Sequence, residues 1–542
     1  FTGYEIHTDS RGIVRIATSE GLFSLDREKR IFRKLTPGEE KEKVRINGQV
    51  YAISEDYIGN IWVGTYSGLI KMEKTGGVFY NYPDGDNPGI NPQVDRITSM
   101  LPLSDSKCLT GTTHGFYTLD EESGRFRKHQ NILPGFDEVL VYKLLRDNKG
   151  NILAGTKKGL LKLEFTGDNL KAKVIRFSGS PEKEEWINRV TSITEGDDGV
   201  LWVGTINGLI KYSPGSGEQT IYNFDADFGN EGDTYILSLY FDDGILWVGT
   251  NSEGLLRINT SDMTHTRFST YGKGAQKLSN DKIMAIHKDK TGRIWLATMG
   301  GGINILELNS INVKIISTSD GLANNSVYGI LEDKPGNIWV STNKGLSRID
   351  SHTLKPRNYT HSDGLVSNGY NQFSYLKGRD GKFYFGGSGG ITVFDPEKMI
   401  PNPVKPKVAL TDFRIFNNPS LERIINKEVE LDYDENFLSF EMAALNFEDP
   451  AYNEYQWKLE GLTDQWVHAG KRRTVDVSNI APGSYQLIVK AANREGVWSE
   501  ETLLAKIEVI PPFWKTAWFA ILATLLMLSL VVFISVITVR RK

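Results

Sequence analysis

One phrase recurs along the chain and constrains the fold more than any other feature. It consists of a turn with Gly or Asn, an apolar strand that ends in Gly-Thr, a short loop, then Gly-Leu and another strand, as in GNIWVGTYSGLIKM from Gly59. Nine copies are anchored at the residue that ends the first of these strands: Thr18, Thr65, Thr112, Thr156, Thr205, Thr250, Thr298, Thr342 and Gly387. Successive anchors lie about 44 to 49 residues apart, which is the length of a four-stranded β-propeller blade. The repeats therefore predict an all-β protein.

The last copy indicates how the blades divide into rings. It ends at Phe394 without an outer strand of its own and runs into a Pro-rich stretch. A closed propeller borrows the missing strand from the start of its ring, so we expect Val78–Tyr82 to pair with Ile391–Phe394. Residues 77–402 then form a seven-bladed propeller, and residues 1–76 the last two blades of a preceding one. Second-strand tryptophans are predicted to pack between neighbouring blades: Trp62, Trp202, Trp247, Trp295 and Trp339.

Beyond the repeats the residue pattern changes. Residues 403–512 contain about seven short alternating segments separated by turns such as Pro482-Gly483, a pattern typical of an immunoglobulin-like β-sandwich. We expect Trp457, Trp466 and Trp498 to fill the space between its two sheets.

The C-terminal segment predicts a membrane crossing. Ala517–Val539 carries no charge and is long enough to span the roughly 30 Å hydrocarbon core as a helix. Trp514 and Trp518 stand at one end, and Arg540-Arg541-Lys542 at the other. By the positive-inside rule residues 1–513 lie outside the cytoplasm, residues 513–539 form a transmembrane helix and residues 540–542 are cytoplasmic stop-transfer residues. The chain is then expected to be a fragment of a protein that continues into the cytoplasm.

The sequence contains no pattern that predicts catalysis. The formal net charge of −4 gives no reason to expect a nucleic-acid partner, and the single cysteine, Cys108, permits no internal disulfide or cysteine-based metal site. The Gly-x-Ser-x-Gly string at residues 386–390 is interpreted as a strand-to-strand turn rather than a nucleophile elbow. Asp225, Asp227 and Asp233 are interpreted as a solvated loop rather than a calcium site. We therefore predict no catalytic residue, no cofactor and no metal.

Ligand binding is the better hypothesis. In a propeller, the loop between the second and third strands and the loop that leads into the inner strand open on one face, near the central channel. Aromatic rings there can stack on a sugar, while Arg, Lys and Asn can hold hydroxyls, carboxylates or sulfates. The candidate ligand-binding residues on these loops are Arg96, His114, Lys158, Trp186, Arg189, Tyr235, Tyr328, Asn343 and Tyr370.

The stretch NEYQWKLEGLTDQWVHAG from Asn453, followed by Arg472-Arg473 and by APGSYQLIVKAANREGVWS, resembles the Y_Y_Y domain. Tyr452, Tyr455 and Trp457 stand at its alternating aromatic positions, the last with Trp in place of Tyr. The blade phrases resemble the two-component regulator propeller repeat. In this order, before one membrane helix, the two resemble the sensor half of hybrid two-component systems of gut Bacteroidetes. The resemblance implies two seven-bladed propellers before the sandwich and a kinase after the membrane helix. The first five blades of the first propeller and the kinase are missing from this chain, which we attribute to truncation.

The resemblance carries expectations about function. It implies a dimeric inner-membrane receptor whose periplasmic part senses oligosaccharides released from glycans, and which regulates polysaccharide-utilisation genes. It also implies a cytoplasmic histidine kinase, receiver and DNA-binding domain outside this chain. Two alternatives stay open: a membrane-tethered propeller enzyme that acts on glycans, and a protein-binding scaffold. The enzyme would need paired carboxylates facing the channel, which the sequence neither shows nor excludes.

Overall fold

A computed structural model of the chain describes residues 2–26, 30–34, 48–72, 79–83, 96–224, 234–272, 277–308, 312–399, 403–447 and 450–540. The chain divides into two compact units. Gly77–Met399 forms one of them, and Phe1–Gly76 together with Ile400–Lys542 forms the other.

The unit Gly77–Met399 contains, within its described residues, seven antiparallel sheets of four strands each, numbered here as blades 1 to 7 from inner to outer strand. The strands of blades 1 to 3 are Ile97–Pro102, Lys107–Thr112, Gly115–Asp120 and Arg125–Lys128; Val141–Arg146, Ile152–Thr156, Gly159–Thr166 and Asn169–Ile175; and Val190–Glu195, Leu201–Thr205, Gly208–Ser213 and Glu218–Tyr222. Those of blades 4 and 5 are Ile236–Asp242, Ile245–Thr250, Leu255–Asn259 and His265–Phe268; and Ile283–Lys288, Ile294–Thr298, Ile303–Glu307 and Asn312–Ile316. Those of blades 6 and 7 are Val327–Glu332, Ile338–Thr342, Gly345–Ile349 and Pro356–Tyr359; and Tyr370–Lys377, Phe383–Gly387, Gly390–Phe394 and Phe79–Pro83.

The ring closes through its earliest strand. Phe79–Pro83 pairs antiparallel with Gly390–Phe394, so that Tyr82 lies opposite Ile391. The inner strands of successive blades are neighbours all the way round, including those of blades 7 and 1. The predicted ring closure is therefore confirmed, except that residue 78 lies outside the described residues. A continuous nine-blade arrangement is excluded.

The second-strand tryptophans form much of the packing between blades. Trp202, Trp247, Trp295 and Trp339 are at most 2% exposed and pack against apolar residues of the following blade. Burying an indole also buries its N–H, and in blades 5 and 6 an Asp after the inner strand accepts it, as in Trp295 Nε1 to Asp289 Oδ2 at 2.7 Å. The predicted packing between blades is confirmed for these four residues.

A β-bulge recurs near the start of the inner strands and shapes the channel. In blades 1 to 6 one extra residue of the inner strand faces the second strand without a partner there: Thr98, Tyr142, Thr191, Leu237, Met284 and Tyr328. Bulges bend a strand and redirect the side chain of the extra residue. In blade 7 the irregular stretch is longer, between Tyr370 and Tyr375, and Phe373 within it has a φ of 61°.

The other unit begins with two sheets of blade type. They comprise Gly3–Thr8, Val14–Thr18, Gly21–Asp26 and Ile31–Lys34, and then Val50–Glu55, Ile61–Thr65 and Gly68–Met72. The fifth tryptophan, Trp62, differs from its four equivalents. It is partly exposed, and its ring stands edge-on to Phe447 at 5.8 Å. The prediction that Trp62 packs between two blades is wrong for the described residues, because it meets the domain that follows residue 403 instead.

That domain is a β-sandwich. One sheet has the strand order Asn418–Pro419, Val408–Ile415, Phe437–Ala444 and Thr474–Ser478, and the other the order Glu428–Leu431, Thr502–Val509, Gly483–Ala492, Glu454–Glu460 and Thr463–Gly470. The core between them contains Phe413 stacked on Phe440 at 4.8 Å. Trp457 packs against this core as predicted.

The prediction for the other two sandwich tryptophans is wrong. Trp466 and Trp498 lie outside the core, on either side of Lys490, whose ammonium is 4.2 Å from the Trp466 ring centre and 5.6 Å from that of Trp498. Lys490 alternates with the inward-facing Val489 and Ala491, so it belongs to the outer face of its sheet. Beyond the sandwich, Ala517–Arg540 is a helix whose segment Ala517–Thr538 is long and apolar enough to cross a membrane.

Candidate functional site

Residues from three consecutive blades meet at the face where the inner strands begin. Arg189 directly precedes the inner strand of blade 3, Tyr235 precedes that of blade 4, and Tyr142 is the bulge residue of blade 2. The positive charge of Arg189 acts on the hydroxyls of both tyrosines, where it opposes the rise in pKa that their burial causes. We call Trp186, Arg189, Tyr142 and Tyr235 the channel mouth.

A one-turn helix, Glu184–Ile187, presents the aromatic residue of this group. Trp186 is 39% exposed, and the Arg189 guanidinium lies 4.2 Å from the centre of its ring. Such a stack holds an arginine by cation–π attraction while leaving its N–H groups for other partners. One face of the indole is covered in this way, and the ring remains partly open to solvent.

The guanidinium is only partly satisfied. Its Nη2 donates to Glu185 Oε1 at 2.5 Å, and the Glu185 side chain is 71% exposed. The buried Nε of Arg189 has no hydrogen-bond partner among the described residues. An unpaired buried donor is costly, and in native proteins it calls for an explanation.

Lys143 lies one residue further into the channel than Tyr142. Its ammonium is 5.5 Å from the ring centre of Tyr375, which belongs to blade 7. Blade 1 separates blades 2 and 7, so this contact passes in front of the inner strand of blade 1. Burial lowers the pKa of Lys143, and no carboxylate pairs with it in the part of the chain that the structure describes.

Next to Lys143, apolar residues from blades 4 to 7 form a cluster that we call the floor. Tyr375 lies against Gly329 of blade 6 so closely that a Cβ there would come within 2.4 Å of the Tyr375 ring. Phe373 joins Leu237, Met284 and Tyr328 in one buried cluster drawn from blades 4 to 7. The extended bulge of blade 7 thus contributes two aromatic rings, Phe373 and Tyr375, to the floor, and burial raises the pKa of Tyr375 to about 12.

The structure brings only some of the nine predicted residues together. Trp186, Arg189 and Tyr235 share the channel mouth, and Tyr328 lies in the floor with only 6% exposure. Tyr370 does not face the channel, because it is buried in the core of blade 7 and its hydroxyl bonds the Thr392 hydroxyl at 3.0 Å. Tyr370 is therefore removed from the candidate set.

The remaining four predicted residues lie elsewhere on the rim. Arg96 is exposed; its carbonyl accepts a hydrogen bond from the Thr113 N–H, and its own N–H donates to the Thr113 hydroxyl. Next along the chain is His114, whose Nδ1 is 3.1 Å from the same hydroxyl. Lys158 Nζ donates to the Gly135 carbonyl at 2.7 Å. Asn343 is exposed on blade 6.

Sequence reasoning missed Tyr142, Lys143, Phe373 and Tyr375. Tyr142 had a usable signal, since it occupies the same position in its repeat as Tyr328. The spacing of the repeats did not predict the longer bulge of blade 7.

The sequence analysis interpreted two loops as having no catalytic or metal-binding role. Ser388 lies in the turn between Gly387 and Gly390 as interpreted, whereas Asp225, Asp227 and Asp233 lie outside the described residues.

Comparison with known proteins agrees with this architecture. Residues 446–509 match the Y_Y_Y domain, and residues 45–67, 186–207, 277–300 and 321–344 match the two component regulator propeller. The Formosa agariphila protein Histidine kinase P4 is 26% identical over 551 residues. That alignment includes 88% of this chain but only 39% of the relative's own length.

A solved structure shares the fold. The extracellular domain of a B. thetaiotaomicron protein assigned as a hybrid two-component system superposes with a TM-score of 0.70 at 23% identity. The match covers 94% of this chain and 73% of that domain. The chain thus carries two-component regulator propeller repeats followed by a Y_Y_Y domain, in the fold of that extracellular domain.

Proposed function

We propose that this chain is the extracytoplasmic sensing region of a membrane-anchored two-component receptor, and that the channel mouth of its propeller binds an oligosaccharide. The observation that carries the proposal is the Arg189–Trp186 stack at 4.2 Å, which sets a partly exposed indole beside a partly satisfied guanidinium at the mouth of a closed ring. Indole faces take sugar rings, and convergent donors take their oxygens. The apolar floor below would limit the ligand to the mouth.

In this proposal the bound sugar shifts the populations of two arrangements of a homodimer, and the sandwich passes the change to the helix Ala517–Arg540. The receptor would lie in the inner membrane with residues 1–513 in the periplasm. Its cytoplasmic part would be a histidine kinase that controls polysaccharide-utilisation genes. The homology with a histidine kinase supports this output.

The two N-terminal sheets are proposed to be the last blades of another propeller. Leu69, which follows the repeat's Gly, is 67% exposed, whereas Leu160, Leu209 and Leu346 at the equivalent position are fully buried by the following blade. The face of the second sheet that carries Leu69 is therefore suited to packing against a further blade.

Calorimetry of the full chain in lipid nanodiscs against an oligosaccharide panel tests the proposal. We expect at least one oligosaccharide to bind, to raise the melting temperature by mass action, and to be recovered unchanged. Turnover of the sugar would instead support a membrane-tethered enzyme. Binding of proteins with no affinity for any oligosaccharide would support a scaffold.

A further inference from the structure

Among the described residues, the two cations of the channel, Arg189 and Lys143, have one carboxylate partner between them. That carboxylate belongs to Glu185, which pairs with Arg189 and stands at the solvent-exposed rim. Lys143 has no carboxylate partner among the described residues and rests on the Tyr375 ring. A cation held away from water without a counter-charge is unfavourable, and a bound anion would relieve it.

The pair between Arg189 and Glu185 is easily exchanged. It joins residues four apart, and its carboxylate is mostly hydrated, so it contributes little to stability. When the guanidinium turns from Glu185, its Nε and Nη2 present two parallel N–H donors, the arrangement that carboxylate and sulfate oxygens accept. This would also satisfy the Nε that is now without a partner.

The neighbouring groups suit the neutral part of a sugar. Tyr142 and Tyr235 place their hydroxyls within the electrostatic reach of Arg189. Trp186 keeps part of its ring exposed next to them. An apolar ring face, two phenolic hydroxyls and a guanidinium together fit one charged sugar residue better than a simple anion, which would use only the cations.

We infer that the channel mouth binds an acidic saccharide, a sugar residue that carries a carboxylate or a sulfate, with Arg189 as the principal partner of the anionic group and Lys143 adding positive charge from the same channel. The inference rests on the proposed function and adds the class of ligand. Glu185 acts as the stand-in anion of the unliganded site.

Matched ligand pairs separate charge from sugar recognition. Calorimetry of the full chain in nanodiscs would compare oligogalacturonides with their methyl esters, and keratan sulfate disaccharides, which contain no uronic acid, with their desulfated forms. We expect the acidic member of at least one pair to bind at least 10-fold more tightly than its neutral member. The affinity of the acidic member should fall as sodium chloride is raised, whereas that of the neutral member should not. The two kinds of pair distinguish a carboxylate from a sulfate.

Two variants place the effect at this site. Arg189→Gln and Lys143→Met should each weaken the acidic member at least 5-fold and the neutral member less than 2-fold. Arg125→Gln and Lys173→Met are matched controls, because both residues are exposed on outer strands of blades 1 and 2, and should change neither affinity. If Arg189→Gln does not fold, Arg189→Lys replaces it in the test, because it keeps the positive charge. Since lysine lacks the two parallel donors, this variant should bind the acidic member at least 3-fold more weakly.

The outcomes are distinct. Equal affinity for the acidic and neutral members of every pair would overturn the inference and leave oligosaccharide binding intact. Acidic selectivity that survives both variants would overturn the assignment to this site. Binding of a neutral oligosaccharide from the wider panel, with no binding in any pair, would overturn the inference alone. Binding of no saccharide in either experiment would overturn the proposed function and the inference with it.

Discussion

Asn188 determines how the loop before blade 3 presents its neighbours. It is 3% exposed, its side chain exchanges two hydrogen bonds of 2.9 Å with the backbone of Phe177, and it also donates to the Glu184 carbonyl. A buried amide with these bonds fixes the turn between Trp186 and Arg189. The loop therefore resembles a preorganised binding surface, in which little ordering is left for the ligand to impose.

Trp186→Ala tests the stacking role. We expect the affinity for the oligosaccharide found by screening to fall by about 1–3 kcal/mol, because an aromatic anchor and the support of Arg189 are both lost. The melting temperature should not change, since the ring is partly exposed. Trp186→Phe should keep most of the affinity. Tyr271→Ala removes another exposed ring, 86% accessible, and should have no effect. Unchanged affinity in Trp186→Ala would move the site away from the channel mouth.

Lys143→Met should make the propeller more stable although it weakens ligand binding. Replacing a partly buried cation that has no carboxylate partner among the described residues with an apolar side chain of similar length removes a desolvation cost, and we expect a gain on the order of 1 kcal/mol. Since burial lowers the folded-state pKa of Lys143, the cost is fully present below that pKa. It disappears as the pH rises through it toward the unfolded value of about 10.4.

Denaturant unfolding of wild type and Lys143→Met at neutral and alkaline pH measures this difference. The difference in unfolding free energy between Lys143→Met and wild type should become smaller as the pH rises. Lys173→Met provides the control for a surface lysine and should show no such difference at either pH. A destabilised Lys143→Met would mean that the ammonium already has a favourable environment in the unliganded channel.

At the scale of the blade, the inner-strand bulge decides which residues reach the channel, and the sequence revealed it only in part. The repeat spacing sufficed for blade number, ring closure and the four buried tryptophans, because those depend on strand order and apolar pattern. Trp466 and Trp498 were wrongly predicted to face the core of the sandwich. Alternation along a strand does not show which face carries a tryptophan, because the ring can also pack against a lysine on the outer face, as here against Lys490. Tyr370 was misplaced because it occupies the first paired position of the inner strand, where Val141, Val190 and Val327 are also fully buried.

Gly329→Ala tests the aromatic floor. An added Cβ would lie 2.4 Å from the Tyr375 ring, so either that ring or the inner strand must move. We expect a loss of about 1–3 kcal/mol in unfolding free energy, as for other overpacked sites. Ligand affinity should fall as well, because Tyr375 supports Lys143. Gly215→Ala is the matched control, since a Cβ there would meet nothing within 4 Å. Unaltered stability in Gly329→Ala would show that the floor is loosely packed.

At the scale of the whole molecule, the sandwich is joined to the membrane helix by a short and well-held segment. The Ile510 N–H donates to the Leu431 carbonyl at 2.8 Å, which extends the pairing of the last strand up to Pro511-Pro512. Two prolines in a row restrict the backbone. Trp514 then packs edge-on against Tyr433 of the sandwich at 5.1 Å. The helix that begins at Ala517 thus follows the sandwich with few free torsions between them.

Inserting five Gly-Ser residues after Ile510 tests whether this joint transmits the signal. Such a linker behaves as random coil, so it should separate Trp514 from Tyr433 and let the helix move independently of the sandwich. Ligand affinity should be unchanged, because the propeller is not altered. In the full-length receptor, the ligand-dependent change in kinase output should be lost. The same insertion in the exposed turn after Gly215 controls for added length and should leave the response intact. A response of wild-type amplitude from the first insertion would show that the signal does not depend on a stiff joint, and Tyr433→Ala should then be silent as well.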